Sequence, residues 1–166
     1  MSLTDQTAFD GYRLYHDDQE AFLIGRITDS DSQLTGRPAY YTTASRDVVI
    51  GSYDEQRAMV VPETAVDCDS HVIAHNARAF DQLSLEHELS PLGTALRDAW
   101  ELSQTDVLGV KQAHVYALRD VHEFSRGETA TVLGVEPSTV DSHLYAARDS
   151  VEDAEQFVET RRRIKP

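Results

Sequence analysis

Residues 125–148, SRGETATVLGVEPSTVDSHLYAAR, restrict the fold more than any other stretch of the chain. Ser125 followed by Glu128 has capping-box spacing, in which hydroxyl and carboxylate satisfy each other's backbone N–H groups, so a helix is expected to begin here. Ala130 is small where a second helix would cross most closely. Gly134, four residues on, can take the left-handed backbone that ends the helix in a tight turn. Val135 then plugs the corner, and Pro137 suits the first position of a second helix, where a missing N–H costs nothing. Val140, Leu144, Ala147 and Val151 recur at helical spacing as a buried seam, with Ala130, Leu133, Gly134 and Val135 completing the core of the pair.

At 100° per residue from Val140, the opposite face of the second helix carries Ser138, Asp141, Ser142, Tyr145 and Asp149, with Arg148 at its edge. His143 lies beside the seam and is expected to pack and hydrogen-bond rather than to face a partner. Acids on the outward face raise the question of what that face can bind.

Residues 12–75 read as short strands: the stretches YRLY, EAFLIGRIT, AYYTTA, DVVIGSY and RAMVVP are rich in β-branched and aromatic residues and are separated by polar turn sequences. They predict a small antiparallel sheet. Phe22, Leu23 and Ile24 are consecutive, so at least one strand should be buried on both faces, against helices or a second subunit. Further on, Ser90 is a plausible N-cap with Pro91 at the first helical position. Leu92, Ala95, Leu96, Ala99 and Leu102 form one stripe, and Trp100 lies off it as a candidate contact with the sheet or a dimer partner. Residues 77–89 are also expected to be helical. The fold class expected is α+β: a β-rich domain over 1–76, connecting helices over 77–104, an all-α domain over 105–151, and a helix end with a basic tail over 152–166.

Charge limits the partners. The formal net charge is -14; Asp contributes 17 residues and Glu 12, whereas Lys occurs only at Lys111 and Lys165. Short carboxylates hold water and hydrated cations, while long Lys stems expose methylene groups that concentrated salt drives together. That balance suggests molar intracellular salt, with an ordinary acidic cytosolic protein as the alternative. Residues 1–105 carry net -11, 106–150 net -3 and 151–166 net 0, so the last third is least hostile to a polyanion. No basic start with an apolar run and no stretch of membrane-span length occurs, which predicts a cytoplasmic protein without membrane contact.

Residues 108–148, LGVKQAHVYALRDVHEFSRGETATVLGVEPSTVDSHLYAAR, resemble the DNA-binding fourth region of bacterial sigma factors and the related LuxR-type domain. Leu108, Val115, Tyr116, Leu118 and Arg119 match the supporting helix, and Ser138, Thr139, Val140, Ser142, His143 and Leu144 match the start of the recognition helix. The resemblance implies a helix-turn-helix whose second helix enters the major groove of double-stranded DNA. It nominates Ser138, Thr139, Asp141, Ser142, Tyr145 and Arg148 as DNA contacts. Those families commonly place a base where this chain has Asp141, often Arg at the positions of His143 and Ala146, and Ser at that of Glu136.

In dilute buffer the acids would oppose phosphate. At 1 M salt the screening length falls to about 3 Å, so they cost little, and recognition would rest on fit and hydrogen bonds, with Asp141 able to accept from a cytosine amine. The function expected is sequence-specific transcriptional regulation in a halophilic archaeon, as a homodimer because one short helix supplies little specificity. The alternative is an adaptor that keeps the helix-turn-helix core and docks on transcription machinery or dimerises without touching DNA.

Three other features bear on function. The tail RRRIKP, 161–166, would grip phosphates as a basic arm or stand as a solvated terminus. Cys68, His71 and His75 would gather on one side of a helix, but HVIAH suits a strand, which parts Cys68 from His71, so no metal site is expected. Neither a phosphate-cradling glycine loop nor a nucleophile motif is present, and no enzyme activity or cofactor is expected.

Overall fold

The computed structural model describes residues 11–15, 19–27, 35–62, 72–74 and 89–165. It is an α+β arrangement that divides into two compact units between Thr94 and Ala95. Cys68, His71, His75 and residues 77–88 of the helix expected over 77–89 fall outside the described residues.

The first unit is built from β1 (Tyr12–Leu14), β2 (Glu20–Arg26), β3 (Pro38–Thr42), β4 (Val48–Asp54), β5 (Met59–Pro62) and β6 (Val72–Ala74). Neighbouring strands pair antiparallel from β1 to β5. β5 then returns to β1 in parallel, with Leu14 opposite Val60, so the first five strands close a ring. Closure removes sheet edges that would otherwise be open to foreign strands. β6 joins the β5 side of β4, with Val48 opposite Ala74.

The ring interior holds Leu14, Ala21, Tyr40, Val49 and Val60, with Tyr12 and Leu23 packed against them. Phe22, Ile24, Ala39, Tyr41, Val48 and Ile50, on the alternate positions, are buried as well. β2, β3 and β4 are therefore covered on both faces, as the Phe22–Leu23–Ile24 run requires. Burial pushes the Tyr40 and Tyr41 phenols up to about 12.

A bulge at Ile24 breaks the β2–β3 register, with Leu23 opposite Tyr40 and Gly25 opposite Ala39. The Leu23 and Ile24 carbonyls accept instead from Ser90, through its hydroxyl (3.1 Å) and its backbone N–H (2.9 Å). The Ser90 hydroxyl also accepts from the Gly93 N–H at 3.0 Å, so Ser90 caps α1 (Pro91–Ser103) as expected. A Cβ on Gly93 would run into the Ile24 carbonyl, which explains a glycine in the first turn of a helix.

The second unit contains the rest of α1, α2 (Val110–Tyr116) running into a π-helical turn (Ala117–Val121), α3 (Arg126–Leu133) and α4 (Pro137–Ile164). Along α1, Ala95, Leu96 and Ala99 are fully buried and Leu102 half-buried, as the stripe predicts; Trp100 is half-buried. Two clusters among the described residues organise the unit. Val115, Ala130, Val140 and Leu144 pack together with Tyr116, Leu133 and Val135 around them. Leu108, Ala113 and Ala147 form the other, bordered by Leu102, Tyr116 and Val151.

Candidate nucleic-acid interface

The interface is set by the turn between α3 and α4. Ser125 caps α3, its hydroxyl accepting from the Glu128 N–H at 3.1 Å. The expected return bond from Ser125 N–H to the Glu128 carboxylate is not formed, so only half of the capping box is present. Gly134 has φ 65° and ψ 37°, the left-handed conformation expected of it. Its N–H donates to Thr131 O at 3.3 Å and the Val135 N–H to Ala130 O at 3.1 Å, a Schellman closure that satisfies two helix-end carbonyls. Glu136 makes no side-chain cap, and Pro137 starts α4.

Ala130 allows the close crossing: it is buried in the cluster that includes Val140 and Leu144. Arg119 fixes the approach to α3 from the other side by donating to the Phe124 carbonyl at 2.7 Å. With the seam facing inward, Ser138, Asp141, Ser142, Tyr145, Arg148 and Asp149 are exposed and Thr139 and His143 half-buried. Tyr145 stands out at 79 % relative exposure. The Ser142 hydroxyl donates back to the Ser138 carbonyl at 3.1 Å, leaving its lone pairs to accept from a partner.

Two arginines change the electrostatics of this face. Arg126, at the start of α3, grips Asp141 through Nε (3.0 Å to each carboxylate oxygen) and Nη2 (2.7 Å). Arg148 grips Asp120 of the π-helical turn through Nε (2.8 Å) and Nη2 (2.7 Å). The hydrogen bond from Arg126 holds the Asp141 carboxyl below the usual carboxylate range, and that from Arg148 does the same for Asp120. Asp141 is therefore not a bare acid, and Arg148 is not a free base. Asp149 makes no ion pair among the described residues.

Arg126 is a residue that the periodicity of α4 could not nominate, because it sits on the other helix. The signal available was its place just after the Ser125 cap, where the first helix of such a pair meets the outward face of the second. Arg161, Arg162 and Arg163 form the last turn of α4, a placement that suits the negative end of the helix dipole, and are not a loose arm.

A tight-turned helix pair with one buried seam and one open polar face defines a helix-turn-helix module. Residues 105–151 match the family described as Sigma-70, region 4, over less than half of the chain. No curated protein and no solved structure matches the chain. The carboxy-terminal segment is thus a helix-turn-helix similar to region 4 of sigma-70, a likeness that suggests a DNA-binding or transcription-related role. Among the described residues, no group of His, Cys, Asp and Glu could hold a metal ion, and no helix is long and apolar enough to cross a membrane.

Proposed function

We propose that the protein is a sequence-specific transcriptional regulator that reads double-stranded DNA with residues 137–149 of α4 in the major groove. The observation that carries this reading is the open polar face of α4, whose central acid is neutralised by Arg126 through three hydrogen bonds. Ser138, Thr139, Ser142 and Tyr145 are the groups able to meet base edges or phosphates.

Asp141 takes a different part from an acceptor of cytosine. Both its oxygens are engaged by Arg126, so it orients the guanidinium, whose remaining N–H groups can meet a phosphate at the groove edge. Arg148, held by Asp120 through Nε and Nη2, likewise keeps N–H groups on Nη1 that can meet a phosphate. The acidic, Lys-poor composition supports action in the molar salt of a halophilic archaeal cytoplasm, where screening mutes the cost of Asp149. The β-rich region over 1–76 supplies sensing, dimerisation or interaction, residues 77–104 connect it to the helix-turn-helix domain over 105–151, and the active form is a homodimer that also contacts the transcription machinery.

The test is selection from random duplexes in about 2 M KCl, where non-specific phosphate binding is suppressed. Enrichment of a motif is expected. Without enrichment, and with activity in cells insensitive to Ser142→Ala and Tyr145→Ala, the module is instead a protein-docking adaptor, a reading that the unpaired Asp149 favours.

A further inference from the structure

α4 does not stop where its packing stops. The helix runs 28 residues without a break, about 42 Å at 1.5 Å per residue, yet among the described residues the apolar clusters reach along it only to Val151. The seam spacing nevertheless continues: Val140, Leu144, Ala147 and Val151 are followed by Ala154 and Val158, alternating steps of four and three residues. Beside this open stretch, Phe157 and Ile164 are 67 % and 72 % exposed.

Charge on the same stretch is divided by sign. Glu152, Asp153, Glu155 and Glu159 precede Thr160, and Arg161, Arg162, Arg163 and Lys165 follow it. None of these residues makes an ion pair within the chain among the described residues. A surface with acids at one end and bases at the other complements itself when reversed. This is what a two-fold interface between identical chains requires.

We infer that residues 151–165 of α4 pair with the same segment of a second copy of this chain, antiparallel, about a two-fold axis at Val158. By height along the axis, Ala154 is then level with Arg162 of the other copy, Glu155 with Arg161, Val151 with Lys165 and Val158 with its own counterpart, with Phe157 close to level with its own. The long Arg and Lys stems cover the apolar seam while their charged ends meet the acids. A parallel pair would instead stack arginine on arginine. In concentrated salt the apolar seam supplies the attraction and the charges mainly choose the direction. The inference rests on the homodimer of the preceding reading and not on DNA contact.

Sedimentation equilibrium of the full chain in 0.2 M and 2 M KCl tests it. The expected mass is twice the 18.6 kDa of one chain, falling to one chain in Val158→Glu with an unchanged far-UV circular dichroism spectrum. Reversing Arg161, Arg162 and Arg163 to Glu should also give a monomer at low salt, and adding Glu152→Arg, Glu155→Arg and Glu159→Arg should restore the dimer. In a Cys68→Ser background, Ala154→Cys chains mixed with Arg162→Cys chains should form a disulfide that neither forms alone. A monomeric wild type, a dimer indifferent to Val158→Glu, or crosslinking of either cysteine variant with itself overturns the inference. Because mass and duplex selection are separate readouts, a monomer that still enriches a DNA motif would refute the pairing alone, and a dimer that enriches none would refute the DNA reading alone.

Discussion

The two halves of α4 share one helix and one apolar spacing but differ in cover. From Pro137 to Val151 the seam is enclosed by α2, α3 and the residues leading into them, and Val140 and Ala147 are fully buried. From Glu152 to Ile164 the same stripe lies against neither apolar cluster formed by the described residues. The difference separates two duties: the first half owes its orientation to the fold, so its outward face is held ready for a partner. The second half owes nothing to the fold, and its side chains are available for contacts outside the chain.

Stability should break along that division. Leu144→Ala removes a large side chain from the cluster around Ala130, and about 2–4 kcal/mol of unfolding free energy should be lost in chemical denaturation. Gly134→Ala, at the joint between α3 and α4, puts a Cβ on a left-handed residue and should cost about 1 kcal/mol in the same assay. Val158→Ala, in the open half, should stay within about 0.5 kcal/mol when measured on the monomer. A cost at Val158 equal to that at Leu144 would erase the distinction.

A second contrast concerns Asp141. If it merely repels phosphate, Asp141→Asn should tighten DNA binding; if it orients Arg126, the same change should weaken it despite removing a negative charge. We expect a loss of about threefold in 2 M KCl by fluorescence anisotropy, and a larger loss in Arg126→Gln. The smallest effect expected is on pH dependence. The Asp120 carboxyl is depressed by its bond from Arg148, so its contribution is complete above the ordinary carboxylate value of about 3.9 and lost as pH falls through the depressed one. The melting-temperature difference between wild type and Asp120→Asn should therefore be flat from pH 8 to 5 and shrink below pH 4.

Much of this architecture was legible because its signals are local. Ser125, Gly134 and Pro137 each act on the backbone within a few residues, and the strand limits follow from turn sequences such as Asp54 to Gln56. What was hidden depends on distant partners. Nothing in the order of residues announces that β5 returns to β1 in parallel, or that the bulge at Ile24 hands its carbonyl to Ser90. The Arg126–Asp141 pair spans fifteen positions and two helices, so a reading of α4 alone counts Asp141 as an unrelieved negative charge. The continuation of α4 past Val151 was masked by the acids around Ala154, which dilute the apolar pattern while leaving its spacing intact.

The central claim is that the outward face of α4, between Ser138 and Asp149, reads a duplex. Its most direct test is the affinity of the Ser142→Ala/Tyr145→Ala double variant for a selected duplex in about 2 M KCl, compared with wild type at equal melting temperature. A loss of about tenfold or more, equivalent to about 1.4 kcal/mol, is predicted. Unchanged affinity in a folded double variant would contradict the claim and move the DNA contact off this face.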